Sequence, residues 1–243
     1  MKRESGFTLI EVVIAVTLVA LISLGLVMAM DTGFKAMQKS QDRLMHNRRV
    51  TGTERVMEEQ VAGLVPVSAP CLGNSPDAPG AQKVTFFEGQ PQSMRFVSTF
   101  SLQDGGRGVP RILEYQVAPI EDGVGVRLVL NERIYGGPYA AGVLCTGFQP
   151  NVEGQQMPAY RPIEVGPGSF VLADKLAACQ FSYRVPAQPG KPARWVPVWA
   201  ELKLPDAIRI DMAPLDPDPS AVQLLPLTLP VHVTRDPLFP YDP

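Results

Sequence analysis

One charged side chain stands inside a long apolar run near the N-terminus. Residues 7–30 comprise 24 positions, and Glu11 is the only charged residue among them. As a helix the run would be about 36 Å long, enough to cross a hydrocarbon layer of about 30 Å. A carboxylate at this place costs a few kcal/mol in lipid, so Glu11 is a candidate functional residue that needs a partner.

The flanks of the run distinguish between kinds of membrane segment. Lys2 and Arg3 precede it, as in a secretory signal, but the run is too long for one and no A-x-A-like cleavage site follows. A plain anchor fits the length but leaves Gly6 and Glu11 unexplained. The basic residues predict a cytoplasmic N-terminus, with everything after Met30 on the outer side.

The segment Gly6-Phe7-Thr8-Leu9-Ile10-Glu11-Val12 resembles the processing motif of type IV prepilins and type II secretion pseudopilins. The resemblance implies that a membrane peptidase cleaves between Gly6 and Phe7, that the new amine of Phe7 is methylated, and that the apolar helix is kept. It also implies that Glu11 neutralises the Phe7 amine of a neighbouring subunit. Pairing would offset the burial of both charges, and would thereby set the axial register of subunits.

The chain has three cysteines, so at most one internal disulfide forms. Cys179 shares a predicted strand face with Phe181 and Tyr183, which favours a buried thiol. Cys71 and Cys145 lie in predicted loops, and we expect them to pair. The sequence has no C-x-x-C, which argues against a zinc ribbon or a redox site.

Other residues that could do chemistry lack partners at diagnostic spacings. We expect His46 to be solvated and His232 to be packed or at a sheet edge. Asp211, Asp216 and Asp218 lack calcium-loop spacing, and Trp195 and Trp199 should share a strand face and pack in the core. We therefore predict no enzyme activity, catalytic residue, cofactor or metal site. The net charge of −2 also argues against a nucleic-acid partner.

The pattern of elements predicts an α+β fold, namely a pilin-like long helix packed on antiparallel β-structure. We divide the chain into a leader (1–6), a transmembrane and assembly helix (7–30), a periplasmic stem helix (31–65) ended by Pro66, and a periplasmic β-rich domain (66–243). In the stem, Val56, Met57, Val61 and Leu64 form one apolar stripe. The predicted strands cover residues 83–87, 93–100, 111–117, 125–134, 170–172, 178–185, 195–203, 207–212 and 222–233.

Two segments of this β-rich domain have a distinctive residue pattern. Residues 94–99 alternate in polarity, which is typical of a half-buried strand. Residues 136–168 are rich in Gly, Pro and Tyr, and are predicted to be irregular.

The β-rich domain carries a second resemblance, through residues 93–98, the Leu172–Tyr183 region, Trp195 with Trp199, and Leu204-Pro205-Asp206-Ala207-Ile208-Arg209. These residues are similar to the J-type minor pseudopilins of type II secretion. Residues 136–168 and the Pro-rich tail 236–243 are not part of that pattern. The resemblance implies a subunit at the tip of a short periplasmic filament, held in the bacterial inner membrane by a single pass. The implied partners are other minor and major pseudopilins, the prepilin peptidase, the inner-membrane secretion platform and membrane lipid.

Two alternatives stay open on the sequence. The nearer one is a minor type IV pilin or a competence pseudopilin. The other, from a different class, is an N-terminally anchored periplasmic enzyme or binding protein, which would need neither Gly6 nor Glu11.

Overall fold

The structure is a computed structural model that describes residues 8–71, 82–120, 123–151, 154–216 and 226–233. The chain forms two compact units, Met1–Arg48 and Arg49–Pro243. We call the second unit the body, and each unit is described by itself.

Helix α1 (Leu9–Ala62) supplies all the described structure of the first unit. Its segment Leu9–Gln41 has a mean hydropathy of 2.8, and none of its most apolar stretch is buried. Farther along the helix, exposed apolar side chains continue at Phe34, Met37, Leu44 and Met45. The described helix of the first unit therefore exposes apolar side chains along its length. Asp31 and Lys35 form an ion pair on it, with 2.7 Å between Asp31 Oδ2 and Lys35 Nζ.

The helix ends three residues before the predicted boundary of the stem. The Gly63 N–H still donates to the Glu59 carbonyl, but Leu64 and Val65 already form a short strand paired with residues 97 and 98. A Cβ atom at Gly63 would come within 2.8 Å of the Ser98 hydroxyl, so the absence of a side chain allows this close approach. Strand pairing, rather than Pro66, ends the helix.

The described part of the body contains a nine-stranded antiparallel sheet and two two-stranded sheets. The order in the large sheet is β1-β5-β6-β7-β10-β12-β13, with β4 beside β5 and β11 beside β10. Strands β2 and β3 pair with each other, as do β8 and β9. The bounds are β1 Leu64–Val65, β2 Ser68–Pro70, β3 Lys83–Thr85, β4 Glu88–Gly89, β5 Ser93–Ser101, β6 Gly106–Pro119, β7 Val126–Ile134, α2 Pro138–Gly142, β8 Cys145–Pro150, β9 Gln156–Tyr160, β10 Phe170–Val185, β11 Arg194–Val196, β12 Ala207–Pro214 and β13 Leu227–Pro230.

A long apolar helix followed by an antiparallel β-sheet body is the predicted α+β, pilin-like architecture, which the structure confirms. Within the body, the last turns of α1 pack against one face of the large sheet. Met57 and Val61 enter the main core together with Phe96, Tyr115 and Phe181. Val56 is only half-buried, so the buried stripe is narrower than the sequence pattern suggested.

Buried polar contacts also join α1 to the sheet. The Gln60 side chain donates to Glu132 Oε1 at 3.0 Å and accepts from the Tyr115 hydroxyl. The Gln60 backbone carbonyl accepts from the Ser98 hydroxyl at 2.7 Å. Burial, reinforced by the charge of Glu132, raises the pKa of Tyr115, so its hydroxyl stays a donor. These contacts satisfy polar groups that would otherwise be costly inside the core.

Strand β5 is buried on both faces, which corrects the half-buried prediction for residues 94–99. Met94 and Phe96 face the main core, whereas Arg95 and Val97 are buried on the opposite side. That opposite side is covered by a group of elements that we call the covering layer: β2, β3, α2, β8 and β9. Its apolar contacts join Val67, Ala69, Phe86, Val97, Ile112, Ala141 and Leu144.

The covering layer includes much of the region predicted to be irregular, and this prediction was wrong. Residues 138–142 form α2, and residues 145–150 and 156–160 form the paired strands β8 and β9, with Cys145 opposite Tyr160. A disulfide joins Cys145 to Cys71, with the Cα atoms 5.1 Å apart. This is the pairing expected from the sequence, and it ties β8 to the segment that follows β2.

Candidate functional site

The first turn of α1 positions Glu11, the predicted assembly residue. The Thr8 carbonyl accepts hydrogen bonds from the N–H groups of Glu11 and Val12, at 3.1 and 3.3 Å. The helix therefore begins directly after Thr8, and Glu11 lies in its first turn. Gly6 and Phe7 lie outside the described residues, so cleavage, methylation and the Glu11–Phe7 pair stay predictions.

The setting of Glu11 is apolar and open. Its neighbours Leu9 and Ile10 are 83% and 67% exposed, and Glu11 itself is exposed. The helix dipole favours a negative charge at this end by about 0.3–1 kcal/mol. That is less than the few kcal/mol that a carboxylate costs in lipid, so in a membrane the helix alone would not compensate the charge of Glu11.

Comparison with known families gives one finding about this N-terminus. Residues 1–27 match the family described as "Prokaryotic N-terminal methylation motif". The chain carries a type IV prepilin-like motif. The match covers the apolar start of α1 and no part of the body, so it does not distinguish the J-type assignment from other pilin-like proteins. A comparison with curated proteins found no match.

Another predicted candidate lies in the body, on β10. Cys179 is a buried free thiol whose pKa is raised to about 12 by burial and by the charge of Asp211. It shares the main core with Phe181 and Tyr183, as predicted, and its high pKa disfavours the reactive thiolate.

The predicted acidic and histidine candidates also stay separate. Asp211 pairs with Arg209 on β12 at 2.9 Å, and Asp216 is exposed. Asp218 and the side chain of His46 lie outside what the structure describes. His232 is exposed just after β13. Among the described residues, no group of three or more His, Cys, Asp and Glu side chains is placed to hold a metal ion.

The two tryptophans do not share a strand face, so this prediction was wrong. Strand β11 ends at Val196, and the chain turns before Trp199. Trp199 is 6% exposed and contacts Phe87 and Tyr183, while its indole N–H donates to the Lys203 carbonyl at 2.7 Å. Trp195 is 39% exposed. Core packing, as expected, holds for Trp199 only.

A row of buried charges crosses β4, β5 and β6, and sequence reasoning missed it. Glu88 lies opposite Arg95, and Arg95 lies opposite Glu114. The Arg95 guanidinium donates to Glu114 Oε1 at 3.0 Å, to Glu88 Oε2, and to the Arg161 carbonyl at 2.9 Å. Its side chain is 1% exposed. The local alternation placed Arg95 on a solvated face, and only the strand register and the covering layer reveal its partners.

At one end of this row, burial is the largest influence on the pKa of Glu88. It raises the pKa of Glu88 above the usual value, although the Arg95 charge opposes the shift; the Glu114 charge adds to the increase. Glu114 also forms an ion pair with the exposed Arg133, with 3.1 Å between Glu114 Oε2 and Arg133 Nε. The guanidinium of Arg95 lies 5.6 Å from the centre of the Tyr160 ring, so β9 contributes a cation–π contact.

We predict that Arg95→Met destabilises the body by about 3–5 kcal/mol, because the buried Glu114 then keeps only the exposed Arg133 as a cation partner. The matched control is Arg107→Met, which removes an exposed pair with Glu59 and should cost no more than about 1 kcal/mol. Urea unfolding of the detergent-solubilised chain, followed by tryptophan fluorescence, measures both. Adding Glu88→Leu and Glu114→Leu to Arg95→Met should recover most of the loss. Equal effects of the two single variants would contradict the assigned role of the row.

Proposed function

We propose that this chain is a minor pseudopilin of a type II secretion system. It would be cleaved after Gly6, methylated at Phe7, and assembled at the tip of a periplasmic pseudopilus that supports protein export. The observation that carries the proposal is the methylation motif of residues 1–27, followed by an apolar helix segment whose most apolar stretch is not buried. The similarity of residues 93–98 and 172–210 to J-type minor pseudopilins supports the finer assignment.

The charge of Glu11 explains how such a helix would assemble in register. Cleavage after Gly6 frees an amine on Phe7, and methylation leaves its positive charge in place. Glu11 of one subunit would then pair with the Phe7 amine of its neighbour inside an apolar bundle. Apolar side chains can slide past one another at little cost, whereas a pair of opposite charges in a low-dielectric layer fixes one relative position.

In this proposal the chain has no active site of its own. It would lie in the bacterial inner membrane by a single pass, with the N-terminus cytoplasmic and the body periplasmic. Its partners would be the prepilin peptidase, other minor and major pseudopilins, the inner-membrane secretion platform and lipid. The disulfide between Cys71 and Cys145 supports an oxidising compartment for the body.

Intact-mass analysis of the membrane-extracted chain tests the class. We expect a chain that lacks residues 1–6 and carries one methyl group on Phe7. The control is the variant Gly6→Glu, which should stay at full length because the residue before the cleaved bond is changed. A wild-type chain that keeps residues 1–6 in a host containing the peptidase would overturn the proposal.

Replacement of Glu11 tests the assembly step. We expect Glu11→Leu to insert and to be cleaved normally, but to co-purify with partner subunits at least about tenfold less, since an uncompensated amine costs several kcal/mol. Ile10→Leu is the matched control and should behave as wild type. Normal co-purification of Glu11→Leu would contradict the charge-pair mechanism, but would not affect the prediction that the chain is cleaved and methylated.

Gene deletion separates the secretion role from the two alternatives. Loss of the chain should keep exported proteins inside the periplasm while surface fibres persist. Loss of surface fibres or of DNA uptake would favour a minor type IV pilin or a competence pseudopilin. Full complementation by the body on an unrelated anchor would instead indicate an anchored enzyme or binding protein.

A further inference from the structure

The body has an open groove of ≈ 550 Å³ beside the charge row. One wall is formed by residues 88–90, at and after β4. A second wall is the end of the β8–β9 hairpin, and the third is the segment 194–201, which begins with β11. Every wall belongs to the body, and none of these residues takes part in the N-terminal site.

The side walls of the groove are largely apolar. Met157, Pro158, Val196 and Val198 contribute to them, with Trp199 behind. Val198 is 41% exposed, and the nearby Trp195 and Leu202 are also large apolar side chains open to solvent. Exposed apolar surface that continues a concave groove is typical of a protein interaction site.

Strand edges beside the groove favour a partner in extended conformation. Among the described residues, β11 pairs only with β10, and β9 pairs only with β8. Each strand therefore keeps main-chain N–H and C=O groups on one edge for a further strand. An extended segment can use such groups for affinity and place alternate side chains into the groove for specificity.

The polar side of the groove selects for a cation. The Tyr160 hydroxyl is buried and has no hydrogen-bond partner among the described residues. Beside it, Glu88 gives one carboxylate oxygen to Arg95, and burial raises its pKa. Glu201 adds a second carboxylate to the lining, against one basic side chain, Arg194. A lysine or arginine entering here would stabilise ionised Glu88 and could donate to the Tyr160 oxygen.

We propose that this groove binds an extended segment of a partner polypeptide that has apolar residues on both sides of a lysine or arginine. The basic side chain would meet Glu88 and Tyr160, and the flanking apolar side chains would pack on Val198 and Met157. The proposal goes beyond the filament role and does not depend on it, since all its residues lie in the body.

The test uses the full chain in detergent and a fluorescent peptide array. Its ten-residue peptides have apolar and β-branched residues in varied order around a central Lys, Arg, norleucine or Glu. We expect the Lys and Arg series to bind, and the Glu and norleucine counterparts to bind at least about tenfold more weakly. Failure of the Lys and Arg series to bind at up to about 1 mM, or equal binding of all four series, would overturn the proposal.

Substitutions test whether the peptides bind in the groove. Val198→Asp should weaken the Lys and Arg peptides at least about tenfold, because it puts a charge into the apolar wall. Val171→Asp is the matched control, since Val171 is 52% exposed and does not line the groove. Glu88→Gln keeps the size of the side chain and should reduce the preference for Lys over norleucine, with the apolar contribution unchanged.

Two other occupants would show themselves in the same experiment and would overturn the proposal. Concentration-dependent self-association that Val198→Asp abolishes would assign the groove to a second copy of this chain. Peptide binding that appears only after deletion of residues 234–243 would assign it to the chain's own C-terminal segment. Equal peptide affinity of the Val198→Asp and wild-type chains would place any binding elsewhere. Because the mass and co-purification assays do not involve the groove, the outcomes here are separate from those of the proposed function.

Discussion

The body depends on burying both faces of the sheet at β5 and β6. On one face, Phe96 and Tyr115 pack against the last turns of α1. On the other, Val97 and Ile112 pack against the covering layer. Antiparallel sheets commonly leave one face in water, and two-sided burial here requires a second layer of short elements. The disulfide between Cys71 and Cys145 ties together two parts of that layer that are 74 residues apart in sequence, which limits the entropy of its unfolded chain.

Sequence patterns predicted what depends on local spacing. The apolar run, the single carboxylate Glu11 and most strands of the large sheet follow from periodicity. The end of the helix was predicted to within three residues, although strand pairing rather than Pro66 ends it. Glu11 could be identified because a carboxylate within an apolar run costs free energy when that run is buried in lipid or in protein. Apart from β3, which falls in the predicted strand 83–87, the body's second layer could not be predicted in this way. Residues 145–150 and 156–160 form the paired strands β8 and β9 although Gly and Pro composition favours loops, so tertiary context overrides local preference.

The same limit explains Arg95 and the tryptophans. Alternation along β5 correctly separates Met94 and Phe96 from Arg95 and Val97, but it does not say what lies on the second face. Arg95 is buried because β4 and β6 place Glu88 and Glu114 directly opposite it, and this register joins segments distant in sequence. Trp195 and Trp199 were expected on one face on the assumption of a continuous strand. The chain leaves the strand after Val196, and only Trp199 turns into the core.

The first unit and the charge row each place a charged side chain beside apolar surface, but in different ways. The described apolar surface of α1 in the first unit is exposed, so water is a poor solvent for it. In the proposed filament, Glu11 would fix the register of that surface by pairing with a cation from a neighbouring subunit. In the body, Arg95 already pairs with Glu114, and a buried ion pair adds little stability over apolar residues of similar volume. Stability alone therefore does not account for keeping three charges across β4, β5 and β6. Glu88 differs from the other two because it also lines the groove. The row thus holds one carboxylate at a fixed place beside an apolar surface, and recognition of a basic side chain is a function that an apolar row could not supply.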